Sequence, residues 1–258
     1  VYTNDNVMRM DELPARMVVI GGGVIAAEFS PVFSAFGTEV TQLNRSSRLL
    51  RNVDEEVVAR FEEAASKQWN IVKDASLSEI RENADGSVTV VAKRTTENGE
   101  ELLEIPADAV LVATGRRPNT DTLNAKNYFD VQDGGQLSVD KHQRVLYNGA
   151  PVPGVYALGD VSSRYQLKHV ANHEARVVQH NLSHPEDLRA SDHRYVPAAV
   201  FSNPQIAVVG MTEEQARQAA EREGFEITVK AQNFGDTAYG WAMEDKIGLC
   251  KLIARKDN

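Results

Sequence analysis

The stretch from Met17 to Glu28 constrains this chain more than any other. An apolar run, Met17 to Ile20, breaks into Gly21-Gly22-Gly23 and resumes at Val24 as a helical pattern reaching Phe36. Such a pattern reads as a buried strand, a tight turn and a helix. The glycines follow the spacing G-x-G-x-x-A, with Ala26 in the last place. Gly21 permits the turn, Gly23 lets backbone approach a pyrophosphate, and Ala26 keeps the helix tight against the strand. The helix N-terminus adds unpaired N–H groups and a partial positive charge that suit phosphate. A second strand, Glu39 to Leu43, closes a βαβ unit, the context that turns a short glycine string into a dinucleotide fingerprint.

The rest of the chain fits an α/β fold with additions. Pro31 falls inside the first helix and should kink it, because proline lacks the N–H for one helical bond. Gly37 reads as a left-handed helix end. Residues 54–66 carry Val57, Val58, Phe61, Ala64 and Ala65 at helical spacing, and Ile71-Val72 suggests a short strand. Leu77–Arg81, Ser87–Lys93 and Leu102–Ile105 are separated by Asp85-Gly86 and Asn98-Gly99, a pattern of hairpins forming a small antiparallel sheet inserted in the α/β unit. Ala109–Ala113 is a third buried strand. Residues 120–154 read as polar and turn-rich, 155–158 as a short strand ending in Gly159-Asp160, and 167–181 as a helix. A new segment starts at Tyr195, with strands near 198–201, 206–209, 226–232 and 247–254 and a helix over 212–223, whose start at Thr212 is well formed.

The end of the second strand bears on which nucleotide binds. An acid there usually holds the ribose hydroxyls, whereas arginine accommodates a 2′-phosphate. Asn44 stands at that place, followed by Arg45, Arg48 and Arg51. A guanidinium bonds two phosphate oxygens at once, so the chemistry favours NADPH over NADH.

Composition removes several classes. The net charge of −9 disfavours a nucleic-acid partner. No apolar run reaches membrane-spanning length. Cys250 is the single cysteine, so no intrachain disulfide or cysteine zinc cluster can form, which fits a cytoplasmic protein. We expect Cys250 to be a small buried hydrophobe rather than a nucleophile. His169 with His173, and His180 with His184, have helical i, i+4 spacing, but no third ligand accompanies either pair, so no metal site is expected. The chain opens without Met and stops just after an apolar run, and is read as an internal piece of a longer protein.

Four stretches stand in a telling order: Gly21 to Glu28, Ala113-Thr114-Gly115-Arg116-Arg117-Pro118-Asn119, Tyr156-Ala157-Leu158-Gly159-Asp160, and Val200-Phe201-Ser202-Asn203-Pro204 with Val209-Gly210-Met211-Thr212-Glu213. On these the chain resembles the pyridine nucleotide–disulfide oxidoreductases, the group of glutathione reductase and lipoamide dehydrogenase, over essentially its whole length. Residues 167–182, 192–201 and 238–245 narrow the resemblance to one member of the group. It implies an FAD-containing homodimer that uses NADPH to reduce a small-molecule disulfide. The implied organisation is a Rossmann-like NADPH-binding domain over 1–118, the C-terminal part of an FAD-binding domain over 119–190, and the start of an α+β dimerisation domain over 191–258.

The resemblance also implies roles. Gly21, Gly23, Val24 and Ile25 would lie on the pyrophosphate and nicotinamide side of NADPH, and Glu28 would be the helix carboxylate beside the nicotinamide. Arg45 and Arg51 match arginines that hold the 2′-phosphate, Leu77 the backbone that meets the adenine, and Gly115 the strand end that the nucleotide crosses. Asp160 matches the acid on the FAD ribitol, and Lys168 the helix-start N–H that meets the flavin. Two positions depart from the pattern. Val24 stands where NADPH-using glutathione reductases often place a tyrosine over the flavin, and Pro31 is unexpected. Neither the family's Cys-x4-Cys redox pair nor its His-Glu acid/base motif is in this chain, so no catalytic residue is assigned and this stretch alone should not turn over. Two alternatives stay open: a related flavoenzyme without the cysteine pair, such as a soluble transhydrogenase, and a non-catalytic module that binds nucleotide or dimerises.

Overall fold

The computed structural model describes residues 1–256. They form two compact units: Val1–Gly115 together with the segment from Ala199 onward, and Arg116–Ala198.

The first unit is built on β1 (Arg16–Ile20), α1 (Val24–Ala35), β2 (Glu39–Leu43), α2 (Glu55–Ala65), β3 (Asn70–Val72), β4 (Ala75–Glu82), β5 (Val88–Thr96), β6 (Gly99–Ala107) and β7 (Ala109–Val112). The order β3-β2-β1-β7 makes an all-parallel sheet. Both faces of β1 are buried, as the unbroken run Met17–Ile20 requires. Met17 and Val19 join Ala26, Phe33, Val58 and Phe61 on the helix side. Val18 and Ile20 pack with Val90, Ala92 and Ala107 on the other. The antiparallel sheet β4-β5-β6 therefore covers the face that helices leave open, in the place where Asp85-Gly86 and Asn98-Gly99 predict hairpins.

α1 runs through Pro31 without a break. The carbonyl of Ala27 forgoes its helical bond there, while the neighbouring Ser30 hydroxyl donates back to Ala26 O at 2.8 Å. The helix then closes as sequence suggests. Gly37, at φ +94°, donates to Ser34 O, and Thr38 N donates to Phe33 O, the paired bonds of a Schellman end.

The second unit contains β8 (Arg144–Tyr147), β9 (Ala150–Tyr156), a 3-10 turn at Gly159–Val161 and α3 (Lys168–Ser183). Its core is Ala125, Leu137, Val145 and Ala157. Here the sequence expectation needs correction: the strand placed at 155–158 begins at Ala150, and its partner β8 lies inside the stretch read as turns. The missed signal was Asn148-Gly149, whose positive φ values of 50° and 75° make the tight hairpin that Asn-Gly favours.

The last segment, which belongs to the first unit, holds β10 (Ala198–Val200), β11 (Ile206–Val208), α4 (Glu213–Glu223), β12 (Ile227–Asn233), the short α5 (Ala238–Ala242) and β13 (Leu249–Arg255). α4 starts with a full capping box, Thr212 and Gln215 bonding each other's backbone N–H. Val200 and Ile206 enter the same core as α1 and α2. Cys250 is exposed, correcting the expectation of a buried residue. It alternates along β13 with Lys251, which points into the unit, so the strand's two-residue period turns Cys250 outward.

Candidate functional site

The glycine turn sits where β1 delivers the chain between the ends of β2 and β7. Gly21 has φ +144°, and a Cβ there would lie 2.3 Å from the carbonyl oxygen of Ala113, so only glycine fits. A Cβ on Gly22 would strike the Asn44 side chain at 2.2 Å. Gly23 differs, because a Cβ there would meet nothing within 4 Å. Internal packing thus accounts for Gly21 and Gly22, while Gly23 borders open space.

The turn is held from beneath. Gly21 N donates to Leu43 O at 2.9 Å. The buried amide of Gln42 donates to Gly21 O at 2.9 Å and accepts from the Trp69 indole at 2.9 Å. Sequence reading passed over Gln42, although a polar residue at an inward strand position is itself a signal. The arginine-bearing loop is tied to the same turn, since Leu50 N donates to Gly22 O at 2.7 Å. Asn44 organises that loop by donating to Ser46 O and Arg48 O at 2.7 and 3.0 Å, a structural role in the position where an acid would hold ribose.

The three arginines divide their work. Arg48 is partly buried and donates to Arg51 O at 2.9 Å, bracing the loop. Arg45 and Arg51 are exposed, and their guanidiniums have no partner among the described residues. A cavity of about 500 Å³ opens beside Arg51, lined also by Ser46, Ser47, Arg48 and Lys73 and by the carboxylates Glu55 and Glu62. The start of β4 closes on this loop through Ala75 N to Asn44 O and Asp74 N to Ser46 O, at 3.0 and 3.3 Å. Leu77 follows, half-exposed, at a bulge in β4. Gly115 lies exposed just beyond β7 at φ +153°, with open space beside it.

On α1, Val24 is half-exposed and Ile25 partly covered. Glu28 accepts from Phe201 N at 2.9 Å, so its carboxylate holds the chain after β10 against the helix. α1 has no side-chain cap at Gly23, and α3 has none at Leu167, whereas α2, α4 and α5 are capped by Asp54, Thr212 and Thr237. Among the described α-helices, the two without caps are therefore those whose first turns carry Val24 and Ile25, and Lys168.

In the second unit, Asp160 stands in the 3-10 turn after β9, half-exposed, and pairs with Arg116 at 3.0 Å. Two residues on, the Ser162 hydroxyl is buried without a hydrogen-bond partner among the described residues. Lys168 opens α3 with its side chain exposed. The structure thus gathers Gly21, Gly23, Val24, Ile25, Glu28, Arg45, Arg51, Leu77 and Gly115 in one unit, and Asp160 and Lys168 in the other. The histidines have other uses: His173 Nε2 accepts from Asp192 N at 3.2 Å, and His180 stacks on His184.

Residues 1–175 match the family model for pyridine nucleotide-disulphide oxidoreductases, and residues 196–258 match the dimerisation domain of the same family. The chain belongs to the pyridine nucleotide-disulphide oxidoreductase family. It is 48% identical to the mycothione reductase of Mycobacterium tuberculosis over 99% of its own length and 53% of that protein's. It is 31% identical to chloroplastic dihydrolipoyl dehydrogenase 2 of Arabidopsis thaliana, over 100% of this chain and 46% of that one. Among solved structures, the HOCl-induced flavoprotein disulfide reductase RclA of Escherichia coli superposes with a TM-score of 0.83 at 28% identity, over 99% of this chain and 55% of that chain. The chain spans about half the length of these relatives.

These residues fit the two nucleotides of the family. The space beside Gly23, the uncapped start of α1 and the unpaired Arg45 and Arg51 suit a phosphorylated dinucleotide. The orphaned Ser162 hydroxyl, the outward carboxylate of Asp160 and the uncapped α3 suit a second nucleotide's ribityl and flavin end.

Proposed function

We propose that this chain is the NADPH-binding portion, with part of the FAD-binding portion, of a cytoplasmic, homodimeric flavoprotein disulfide reductase that reduces mycothione to mycothiol. The observation that carries the reading is the open glycine turn. Gly23 borders open space at the start of an uncapped helix, and a loop bearing two guanidiniums unpaired among the described residues is hydrogen-bonded to that same turn. The match to a family dimerisation domain supports the dimer, the lone cysteine supports the reducing compartment, and the 48% likeness to a mycothione reductase supports the substrate.

In this reading residues 1–118 bind NADPH, 119–190 complete the FAD domain and 191–258 begin the dimerisation domain. The first turn of α1 holds the pyrophosphate through backbone N–H groups, with Gly23 allowing the approach. Arg45 and Arg51 grip the 2′-phosphate, and Leu77 and Gly115 border the nucleotide's length. Glu28, fixed by the Phe201 amide, stands beside the nicotinamide end. Asp160 accepts the ribitol hydroxyls, and the α3 N-terminus at Lys168 favours negative charge on the flavin. NADPH held by the α1 turn and the arginine loop would supply hydride, and FAD held at Asp160 and Lys168 would supply electron transfer toward the disulfide chemistry of the full-length enzyme.

The test is turnover by the full-length protein loaded with FAD. NADPH-dependent reduction of mycothione, at least about 100-fold more efficient than that of glutathione disulfide or lipoamide, is the expected result, since a site built for one substrate's polar groups rejects those that lack them. Nicotinamide-to-nicotinamide hydride exchange without disulfide reduction would instead support the transhydrogenase alternative.

A further inference from the structure

We propose that Glu174 is a positioning residue for the flavin nucleotide: its buried carboxylate, held between His193 and the Gly159 amide, fixes the turn that presents Asp160. The proposal rests on the assignment of Asp160 to the FAD ribitol.

Glu174 lies on the inner face of α3, with only 1% of its side chain exposed. A carboxylate there loses its hydration, and an apolar side chain would fill the position at lower cost. Its presence is explained by what it holds. One oxygen, Oε2, accepts from Gly159 N at 2.6 Å. The other, Oε1, lies 2.8 Å from His193 Nε2. Both oxygens are thereby satisfied, and one of the two bonds falls on the residue directly before Asp160.

Gly159 is pinned on every side. Its φ is +68°, a left-handed conformation, and a Cβ would sit 3.2 Å from Ala171 on α3. Its carbonyl receives Ser162 N at 3.0 Å and Ser163 N at 2.7 Å. With its N–H on Glu174 and its carbonyl closing the turn, Gly159 fixes the direction in which Asp160 leaves. The Asp160 carboxylate is free to face outward, where its only ion pair among the described residues is the exposed one with Arg116.

His193 is set as firmly as the carboxylate it meets. Its ring lies 5.5 Å from that of Tyr165, and the Tyr165 hydroxyl donates to His193 O at 3.1 Å. The same residues border a cavity of about 440 Å³ that also receives Ser162 and Gln143. The Ser162 hydroxyl and the Gln143 side-chain carbonyl are buried there without partners. Two unsatisfied buried atoms thus lie beside the carboxylate that clamps the turn.

The test uses the full-length protein, stripped of FAD and titrated with it by flavin fluorescence. Glu174→Ala should weaken FAD binding by about 10-fold or more, the loss expected when a hydrogen bond to a charged group disappears. It should also shrink the rise in Tm that FAD gives and alter the visible band shape of the residual bound flavin. Glu174→Gln keeps an oxygen to accept the Gly159 N–H and should restore affinity to within about 3-fold. A merely structural role would lower the Tm of the apo and FAD-loaded forms equally and leave affinity and spectrum alone, which would overturn the proposal. If Glu174→Ala does not fold, His193→Ala decides: FAD binding weaker by about 3-fold or more is expected from releasing one oxygen, and wild-type affinity overturns the proposal. Wild-type protein that binds no FAD would instead refute the assignment of Asp160, and an Asp160→Ala loss without a Glu174→Ala loss would refute the positioning alone.

Discussion

The first turns of α1 and α2 face the same electrostatic problem and answer it in opposite ways. Each helix follows a strand of the same parallel sheet, and each begins with backbone N–H groups that no helical carbonyl can reach. At α2 the chain answers with its own side chains. Asp54 accepts from Glu56 N at 3.2 Å, from Glu213 N at the start of α4 at 2.9 Å, and from the Lys251 ammonium at 2.8 Å. Lys251 also meets Glu213 at 2.7 Å and Glu56 at 3.2 Å, so one buried ammonium on β13 gathers three carboxylates. At α1 there is only glycine, no side-chain cap, and a pair of arginines on the adjoining loop that are unpaired among the described residues. The contrast separates a helix end used to join elements from one that, in the proposed function, is kept open for a ligand.

The largest effect should come from closing the turn itself. Gly21→Ala drives a Cβ against the Ala113 carbonyl at an unfavourable φ and should lower stability by about 3 kcal/mol or more, read by denaturant unfolding. Gly23→Ala, two residues away, meets no internal atom and should shift stability by less than about 1 kcal/mol. NADPH affinity should nonetheless fall by about 10-fold or more, because the new methyl occupies the approach of the phosphate. Equal damage to stability at both glycines would erase the distinction between packing and ligand space.

At the joined end, Lys251→Met should lower stability by about 2 kcal/mol, since three carboxylates lose their common partner while solvent still screens part of the cluster. NADPH affinity should stay unchanged, and a parallel loss would mean that the two helix ends are coupled.

A smaller effect is expected from pH. Burial alone would raise the Asp54 pKa, but hydrogen bonds from Lys251 and from the Glu213 and Glu56 amides outweigh it and hold it below the ordinary value. Glu213 is lowered too, chiefly by its bonds to Lys251 and Arg217. For Lys251 burial acts downward, and the carboxylates Asp54, Glu213 and Glu56 outweigh it and raise the pKa. Carboxylates lowered on folding stabilise above their unfolded pKa of about 4, and that stability drains away as pH falls through the folded values. A lysine raised on folding stabilises fully below about pH 10.4, with the loss coming as pH rises further. Wild type should therefore lose more stability between about pH 5 and pH 2 than Lys251→Met does, as measured by chemical denaturation at each pH. Parallel profiles would show that the cluster contributes nothing.

The sequence made the open end legible and hid much of the closed one. Gly21, Gly23 and Ala26 lie within six residues, so the strand–turn–helix and its ligand logic could be read locally. The Lys251 cluster joins residues almost two hundred positions apart, and no periodicity reports such a meeting. The same holds for Glu174 with His193, and for Gln42 beneath Gly21, where polar residues on apolar faces were the only sign. The β8–β9 hairpin was legible in principle from Asn148-Gly149, but β8 is only four residues long and Pro151, Pro153 and Gly154 interrupt the alternation of β9. Cys250 was misplaced because a two-stranded ribbon leaves one face open, which composition alone does not reveal.

The claim that α1 and its arginine loop form a site for a 2′-phosphorylated dinucleotide is tested most directly by titrating the full-length protein with NADPH and NADH while following bound-nucleotide fluorescence. NADPH should bind at least about 10-fold tighter, and the Arg45→Ala/Arg51→Ala double variant should remove that advantage while leaving NADH affinity unchanged. Equal affinity of the wild-type protein for the two nucleotides would contradict the account.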